Sequence, residues 1–417
     1  MRILALTKSS AVKLLAARRA TDRVADRVAA RIVGDVRRRG DAALFAWTRR
    51  LDGLSLTVRN LWVSAAAIKK ASSRVDSNFL DALAHAARNI RAVAQRQVPQ
   101  EWTIETEPGV HVGQIVRPIQ RIGCYVPGGR HSLVSTLLMT VIPAQEAGVR
   151  EIVVTSPQPG DALLAAADYL GVRHVARIGG AQAIAALAYG TRAIPRVDKI
   201  FGPGNRYVAA AKRLVSADCA IDLLAGPTEA MVLSNDGDPR YIAADLLAQA
   251  EHDPDAVALF VTTSPKLGKK VAAEIERQLR VLPRSNPAWR SLPDRGAVLV
   301  GGDMRAAIQF VNDFAPEHLT LAGSAGKFID RIGSAASIFV GEGSAQSFGD
   351  YTSGTNHTLP TGGVARTRGG LSAADFVKCI SVQEVSPRGF PAMAAAAQEL
   401  AKAEGLLAHG LSIEVRK

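Results

Sequence analysis

The stretch His174-Val-Ala-Arg-Ile-Gly-Gly-Ala-Gln182 joins a short apolar run to an alanine-rich run through two adjacent glycines. Residues 174–178 are short, partly β-branched and include the apolar Val175, Ala176 and Ile178, which is typical of a strand, whereas residues 181–190 have the composition of a helix. A strand, a glycine-rich turn and a helix in this order form the repeating unit of a parallel sheet. The stretch therefore predicts an α/β fold.

The same alternation continues on both sides of this unit. Further strands are predicted at residues 112–116, 151–155, 199–201 and 220–223, with helices at 133–147, 160–170 and 205–216. A second alternation follows, with strands predicted at residues 231–234, 257–262, 297–300, 318–321 and 337–340. We therefore expect two doubly wound, Rossmann-like parallel-sheet domains.

The chain has 417 residues, which is too long for one hydrophobic core, so we expect several domains. Valines and isoleucines recur every four residues from Val24 to Val36, and Asp76 is a candidate N-cap for a helix that reaches residue 97. The predicted units are a helical N-terminal segment (1–20), a first α/β domain with the candidate metal and catalytic residues (21–109 together with 230–373), a second α/β domain with the glycine-rich turns (110–229), and a small helical C-terminal tail (374–417). The tail is too short for a core of its own, so we expect it to contact a partner subunit.

Glycine-rich turns follow several of the predicted strands. They are Val126-Pro-Gly-Gly129, Ile178-Gly-Gly-Ala-Gln182, Phe201-Gly-Pro-Gly-Asn205 and Ala225-Gly-Pro-Thr-Glu229. Turns of this kind meet at the carboxyl ends of parallel strands, where nucleotides and other phosphate-bearing ligands bind. Each turn is also an ordinary connection between a strand and a helix. The usual dinucleotide fingerprint, GxGxxG, does not occur in the chain.

A polar cluster ends the stretch Asp245-Leu-Leu-Ala-Gln-Ala-Glu-His-Asp-Pro254. Gln249 and His252 are three residues apart, so on a helix they share one face and could hold one metal ion. The alternative is a polar helix end in which His252 is favoured by the negative end of the helix dipole. Spacing within this stretch leaves both interpretations open.

Further candidate residues lie in three later segments. Glu317 and His318 offer a neighbouring carboxylate and imidazole, which could act as general acid and base, and a polar surface loop is the alternative. Asp350 and His357 lie in a polar glycine-rich loop, and Glu404 and His409 lie near the end of the tail. A ligand set suited to zinc would be Gln249, His252, Asp350 and His409.

Composition limits the class of function. The net charge is +13, but the basic residues are scattered and no aromatic residues lie between them as stacking platforms, so we do not expect nucleic acid as a partner. The three cysteines are far apart in sequence, which favours a reducing, cytoplasmic environment. No apolar run approaches the roughly 20 residues of a membrane span, so we expect no membrane partner.

The sequence closely resembles the histidinol dehydrogenase family over nearly its whole length. The matching segments are YVPGG (125–129), GGAQAIAAL (179–187), FGPGN (201–205), AGPTE (225–229), DLLAQAEHD (245–253), APEHL (315–319), GDYTSGTNHTLPTGG (349–363) and AEGLLAH (403–409). The resemblance implies a zinc- and NAD-dependent enzyme that oxidises L-histidinol through the aldehyde to L-histidine, the last steps of histidine biosynthesis.

The resemblance also implies a role for each candidate residue. His318 would be the general base, and Glu317 would activate water. One zinc ion per protomer would be held by Gln249, His252, Asp350 and His409. The substrate would contact these ligands, His318, Thr228, His357 and Glu404, and NAD would contact Tyr125, Gln182 and Asn205. The family is a homodimer whose tails complete the partner's sites.

Two other interpretations compete with this one. Related zinc-dependent dehydrogenases oxidise other small alcohols, although the intact tail segment, residues 403–409, favours histidinol. A zinc hydrolase would use Glu317 to deprotonate a water molecule, but it needs no cleft for a dinucleotide. One departure from the family pattern is Thr228, where many relatives carry serine, and the hydroxyl is retained.

Overall fold

Parallel pairing dominates the fold, which confirms the predicted α/β class. The computed structural model describes residues 1–18, 22–128, 133–224 and 226–417. Two of the predicted glycine-rich turns extend beyond these residues, because Gly129 and Ala225 lie outside them. In chain order the strands are β1 (Arg2–Ala5), β2 (Trp102–Glu107), β3 (Val110–Pro118), β4 (Arg121–Tyr125), β5 (Glu151–Thr155), β6 (His174–Ala176), β7 (Lys199–Phe201), β8 (Ala220–Ile221), β9 (Glu229–Leu233), β10 (Val257–Thr262), β11 (Ala297–Val300), β12 (His318–Leu321), β13 (Ser337–Val340) and β14 (Val377–Val385).

Most of the predicted helices are present, with ends shifted by one or two residues. Asp76 caps the long α5 as predicted, accepting a hydrogen bond from the Asn78 backbone N–H at 2.7 Å. In chain order the helices are α1 (Lys8–Ala17), α2 (Arg23–Arg39), α3 (Asp41–Asp52), α4 (Ala65–Ala71), α5 (Ser77–Gln97), α6 (Val134–Glu146), α7 (Asp161–Tyr169), α8 (Gly180–Tyr189), α9 (Arg206–Val215), α10 (Pro239–Ala250), α11 (Pro265–Leu279), α12 (Ala288–Arg295), α13 (Met304–Phe314), α14 (Gln346–Tyr351), α15 (Phe390–Ala403) and α16 (Leu407–Glu414).

The six-stranded sheet contains all five strands predicted between residues 230 and 341. Its order is β1-β11-β10-β9-β12-β13, and every neighbouring pair is parallel. Helices cover both faces, so central strands such as β9 are buried throughout and read as continuous apolar runs. The register pairs His318 with Ala230, which brings the amino ends of β12 and β9 side by side.

The five-stranded sheet is also parallel, with the order β6-β5-β4-β7-β8. Its central strand β4 was missing from the prediction, because a glycine interrupts its short apolar run. That glycine has a packing role. A Cβ atom added at Gly123 would lie 2.9 Å from Leu187 Cδ1 on α8, so a larger residue here would require the Leu187 side chain to shift.

A three-stranded antiparallel sheet, ordered β14-β3-β2, corrects two predictions. Residues 112–116 were predicted in the parallel sheet, but they belong to β3. The tail was predicted to be helical, but it begins with β14, which pairs with β3 along its whole length. The β-branched residues Val377, Ile380, Val382 and Val385 favour a strand. Their partner strand lies far back in the sequence, so local periodicity did not indicate the pairing.

The N-terminal region corrects two further predictions. The segment 1–20 begins with a strand, because the apolar residues of β1 pair with the edge strand β11. Helices α2 to α5 were grouped with the six-stranded sheet, but their apolar faces pack on the five-stranded sheet and its helices. The amphipathic spacing predicts that these helices bury one face, and it does not specify which sheet receives that face.

The end of the tail packs loosely on its own chain. Helices α15 and α16 contact each other and leave large apolar side chains exposed, among them Leu400, Leu407, Leu411 and Val415. Exposed apolar side chains clustered in this way mark an interaction surface. A search of the described residues for a helix with the length and apolar composition to cross a bilayer finds none.

Candidate active site

A cavity of about 180 Å³ lies between the two parallel sheets, and we refer to it as the junction cavity. Residues that follow β4 and β7 at their carboxyl ends line one side, and residues at the amino ends of β9 and β12 line the other. The predicted site residues that line it are Thr228, Gln249, His252, Glu317, His318, Asp350 and His357. Glu317 and His318 therefore lie at the amino end of β12, not at the carboxyl ends of strands, where ligands of open parallel sheets usually bind.

Glu317 is buried at the entry to β12 and is held by two hydrogen bonds. Its Oε2 atom accepts from the Thr228 hydroxyl at 2.7 Å and from the Glu229 backbone N–H at 2.8 Å. Both donors point the carboxylate into the junction cavity. Just before this strand, Ala315 adopts a positive φ of 48°, and this turn brings Glu317 and the next residue, His318, to the same cavity.

His318 lies between two carboxylates. Its Nδ1 atom is 3.6 Å from Glu317 Oε2, and its Nε2 atom is 3.7 Å from Asp350 Oδ1. Neither nitrogen has a hydrogen-bond partner among the described residues, so both remain available to a ligand. Burial alone would lower the pKa of His318, but the charges of Glu317 and Asp350 outweigh burial and raise it to about 10. The ring stacks on Phe339, with centroids 6.0 Å apart, and this contact holds its orientation.

Gln249 joins the candidate metal ligands. It is buried on α10, and its Nε2 atom donates to Asp350 Oδ2 at 3.2 Å, while the Thr228 hydroxyl lies 3.2 Å from its Oε1 atom. His252 lies one turn beyond Gln249, with its backbone N–H 3.3 Å from the Gln249 carbonyl oxygen. Helix α10 ends at Ala250, and His252 lies exposed in the turn before Pro254, where it still lines the cavity.

His357 and Asp350 complete the polar wall of the junction cavity. Burial holds the pKa of His357 below its ordinary value, and its Nε2 atom has no hydrogen-bond partner among the described residues. Burial would raise the pKa of Asp350, but the neighbouring imidazole of His318 outweighs burial and lowers it. The wall thus presents one anionic oxygen donor, one uncharged nitrogen donor and the amide of Gln249.

The two predicted site residues of the tail are not brought to the junction cavity of their own chain. Glu404 follows α15 and His409 lies on α16, and both side chains are exposed. Within the described ranges, no three His, Cys, Asp or Glu side chains lie close enough to hold a metal ion by themselves.

A second cavity, of about 480 Å³, lies at the carboxyl ends of the five-stranded sheet, and we refer to it as the turn cavity. The three predicted cofactor residues, Tyr125, Gln182 and Asn205, all line it. The Tyr125 hydroxyl accepts from the Gly180 N–H at 3.1 Å, and burial raises the pKa of Tyr125 to about 12. Asn205 caps α9 by accepting from the backbone N–H groups of its first turn at 3.0 Å and 3.2 Å.

Two helices begin at the turn cavity. The first turn of α8 contains Gln182, and Asn205 precedes the first turn of α9. Backbone N–H groups and the positive ends of helix dipoles favour an anionic group at such a place. The Gln182 Oε1 atom is buried without a hydrogen-bond partner among the described residues, so the protein leaves an acceptor unused at this wall.

The comparisons with known proteins agree with one another. The family model described as histidinol dehydrogenase matches residues 16–417. The chain belongs to the histidinol dehydrogenase family. It is 44% identical over 410 residues to a histidinol dehydrogenase of Geobacter metallireducens, covering 97% of this chain and 94% of that protein. It is 46% identical over 392 residues to one of Geobacillus kaustophilus, covering 92% of each.

A solved structure extends the match to the whole fold. The crystal structure of histidinol dehydrogenase from Elizabethkingia anophelis superposes with a TM-score of 0.93 at 36% identity, covering 100% of this chain and 98% of that chain. Membership of the histidinol dehydrogenase family makes this chain an oxidoreductase of histidine biosynthesis. The predictions of family and enzyme class are confirmed.

Two groups of residues near the cavities were missing from the prediction. Asp52 lines the turn cavity, and its only sequence signal is a carboxylate beside the helix-ending Gly53. Arg18 forms a buried ion pair with Glu229, the residue whose backbone N–H holds Glu317. Sequence spacing could not connect Arg18 to a strand more than 200 residues later.

Proposed function

We propose that this protein oxidises L-histidinol to L-histidine in two successive NAD-linked steps, through the aldehyde and its hydrate. The observation that carries the proposal is the pair Glu317 and His318, which face the junction cavity beside Gln249 and Asp350. Each oxidation requires a base, because a proton leaves the oxygen as hydride leaves the carbon. Hydration of the aldehyde requires a second base that activates water.

His318 is the proposed base of both oxidations. A base must be uncharged when it accepts a proton, and the carboxylates of Glu317 and Asp350 favour the charged ring. A cation held at Asp350 would offset part of that negative charge and lower the pKa of His318 toward neutrality. Both ring nitrogens lack a hydrogen-bond partner among the described residues, so neither is already committed to another group.

Glu317 is the proposed base of the hydration step. Its Oε2 atom already accepts hydrogen bonds from Thr228 and Glu229, which leaves its other oxygen free to accept a proton from water. Its proximity to His318 allows the two bases to act on neighbouring atoms of one substrate. The same chemistry in solution would require two collisions and ordering of the water.

The residues of the junction cavity fit a zinc ion in donor chemistry. We propose Gln249, His252 and Asp350 as ligands, with His409 of the partner subunit as the fourth. The mix of nitrogen and oxygen donors suits zinc, and the buried Nε2 of His357 has no partner among the described residues. When bound, zinc anchors the substrate's polar groups and lowers the pKa of a hydroxyl placed against it. Thr228, His357 and the partner's Glu404 are the proposed further substrate contacts.

The turn cavity fits NAD. The proposed contacts are Tyr125, Gln182 and Asn205, and the support is the unused Oε1 acceptor of Gln182 together with the two helix N-termini. The cofactor supplies a hydride acceptor when bound. Neighbouring parts of the chain line the two cavities, since Pro203 and Gly204 line the junction cavity and the next residue, Asn205, lines the turn cavity.

The proposed assembly is a homodimer in the cytoplasm. Its support is the apolar surface of α15 and α16, together with the exposure of Glu404 and His409, which do not line the junction cavity of their own chain. A dimer that covers this surface would bring the tail of one subunit to the junction cavity of the other. No nucleic-acid or membrane partner is proposed.

One assay tests the function. The protein with zinc should release two NADH for each L-histidinol consumed, with no free aldehyde accumulating. Turnover of a simple primary alcohol at comparable kcat/KM would favour the related dehydrogenases instead. Hydrolysis of an ester or amide in the absence of NAD would favour the zinc hydrolase.

A further inference from the structure

A buried cation near the junction cavity has no role in the proposed chemistry. The Arg18 side chain follows α1 and is only 5% exposed, and its ion-pair partner Glu229 is 4% exposed. The guanidinium binds the Glu229 carboxylate with two hydrogen bonds, from Nε to Oε1 at 2.8 Å and from Nη2 to Oε2. A paired, planar contact of this kind fixes both the position and the orientation of the carboxylate.

Glu229 connects this ion pair to the junction cavity. It is the first residue of β9, and its backbone N–H donates to Glu317 Oε2 at 2.8 Å. Its carboxylate also accepts a hydrogen bond from the Gly362 N–H at 3.1 Å, so both its backbone and its side chain are held. Movement of Glu229 after loss of the ion pair would disturb the N–H group that orients Glu317.

Charge gives Arg18 a second effect on Glu317. Burial raises the pKa of Glu229, the Arg18 guanidinium opposes that rise, and the charge of Glu317 adds to it. The two carboxylates therefore repel each other, and Arg18 supplies a cation that offsets the repulsion. Glu317 acts as a base only in its charged form. Without Arg18, a second buried anion would lie beside it uncompensated.

Arg18 also contacts Phe314, the last residue of α13, through its carbonyl oxygen and over its ring, 3.7 Å from the centroid. The turn after this helix, at Ala315, is closed by its own backbone hydrogen bond of 2.8 Å. The backbone of His318 is then held by pairing with β9 and β13. Loss of Arg18 should therefore affect His318 less than Glu317.

These contacts point to one step of the reaction. We infer that Arg18 is a positioning residue of the hydration step, which orients Glu317 through the Glu229 N–H and offsets the second buried carboxylate. The inference rests on the proposed function, in which Glu317 activates water for the second oxidation. Loss of Arg18 should then slow the second NADH of a turnover and spare the first.

Single-turnover traces of the full-length protein with zinc, NAD⁺ and L-histidinol test the inference. Arg18→Ala should slow the second NADH phase by roughly ten- to a hundredfold, the range for loss of a hydrogen bond to a charged group, and leave the first within about threefold of wild type. The fast first phase shows that the variant is folded and holds zinc and NAD.

Chemical rescue separates charge from shape. A cavity of about 550 Å³ lies beside Arg18 and gives access to this position. Millimolar guanidinium chloride should restore part of the second phase in Arg18→Ala, whereas urea, a neutral molecule of similar shape, should not. Arg366→Ala is the matched control, because Arg366 lines the same cavity but binds the Asp313 carbonyl oxygen instead of a carboxylate. Both of its phases should be unchanged.

Two further variants complete the experiment. When Arg18→Ala is combined with Glu317→Gln, the second phase should be at most about threefold slower than in Glu317→Gln alone, because the base is already absent. Arg18→Lys retains the charge but cannot make the paired contact, so its second phase should slow by about three- to tenfold and its first should not. The lysine variant keeps the test decisive if Arg18→Ala does not fold.

The outcomes separate the inference from the function on which it rests. Equal slowing of both phases in Arg18→Ala or Arg18→Lys, or an unchanged second phase in either variant, would overturn the role of Arg18 and leave the dehydrogenase intact. Rescue by guanidinium no better than by urea, or a further large loss in the double variant, would do the same. Absence of NADH release from histidinol by the wild-type protein would instead overturn the proposed function and the inference together.

Discussion

The Thr228 hydroxyl donates a hydrogen bond to Glu317 Oε2 across 2.7 Å, and its oxygen lies 3.2 Å from Gln249 Oε1. One hydroxyl thus connects the carboxylate proposed to activate water with the amide proposed to bind zinc. The contact holds one oxygen of Glu317 and leaves the other free. It also explains why a threonine can occupy a position where serine is common in the family, since both residues carry the donor.

Thr228→Val should therefore impair the step that uses Glu317. Valine has a similar shape but no donor, and loss of a hydrogen bond to a charged group costs roughly 1.5–3 kcal/mol, or roughly ten- to a hundredfold in rate. We expect kcat/KM for the aldehyde to fall in this range. Thr228→Ser retains the hydroxyl and should stay within about threefold of wild type. Equal activity of the valine and wild-type proteins would contradict a role for this hydrogen bond.

Glu317 and His318 should fail in different steps when they are replaced. His318→Ala removes a base needed in both oxidations, so both NADH phases of a single turnover from histidinol should slow by roughly a hundred- to ten-thousandfold. Glu317→Gln retains the shape but not the basicity, so the first NADH should form fast and the second slowly. Equal slowing of both phases in Glu317→Gln would mean that Glu317 positions the substrate or His318.

Sequence periodicity was sufficient to predict the two parallel sheets, because their strands are short, apolar and separated by helices. It failed where pairing is non-local or a strand is interrupted. Strand β14 finds its partner in β3, far away in the sequence, and β4 contains Gly123. Helix α2 has a clear apolar face, but which sheet receives it depends on the packing of the whole chain.

The candidate site was predictable in composition more than in geometry. The segments with Gln249, Glu317 and Asp350 were identified, and the structure brings them to one cavity. Gln249 and His252 both line this cavity, although α10 ends at Ala250 and His252 lies in the turn that follows. Asp52 was missed, because its hydrogen bond with Gln182 depends on the packing of α3 against α8. No local sequence pattern indicates that contact.

Metal content should depend on the residues of the junction cavity. His252→Asn and Asp350→Asn each remove a proposed ligand and should lower bound zinc, measured by elemental analysis, to well below one per protomer. Incubation of the wild type with a chelator should abolish activity, and added zinc should restore it. His174→Asn changes an exposed histidine at the edge of the five-stranded sheet and is the control. Full zinc occupancy in both ligand variants would overturn the ligand assignment.

Asp245 should make stability depend on pH. Burial raises its pKa to about 6, above its ordinary value of 3.8, and its hydrogen bonds to the Gln346 N–H and the Thr320 hydroxyl oppose the rise only weakly. No charged neighbour contributes to the shift. The folded protein therefore binds a proton that the unfolded chain releases, and this contribution to stability is lost as pH rises through about 6.

Asp245→Asn removes this titration and retains the shape, but its single acceptor oxygen can replace only one of the two carboxylate oxygens, so a loss of stability that does not depend on pH is also expected. Relative to wild type, its free energy of unfolding should rise by about 1 kcal/mol between about pH 5 and about pH 7.5. Urea denaturation at the two pH values measures the difference, and Asp81→Asn, an exposed carboxylate, should show no such trend. A constant difference across this range would mean that Asp245 stays charged in the folded protein.

Mixing of two inactive variants should test whether the tail completes the partner's site. His409→Ala removes a tail residue, and His318→Ala removes the proposed base in the junction cavity. If the sites are shared, a heterodimer of these variants has one cavity with both changes and one with neither, so up to about a quarter of wild-type activity should return after random subunit exchange.

A mixture of His318→Ala with Glu317→Gln is the matched control, because both residues line the junction cavity of their own chain and each heterodimer cavity stays defective. Native mass spectrometry confirms the exchange. Background activity in the first mixture after confirmed exchange would mean that the tail serves its own chain, and the exposed positions of Glu404 and His409 would then require a movement of α15 and α16.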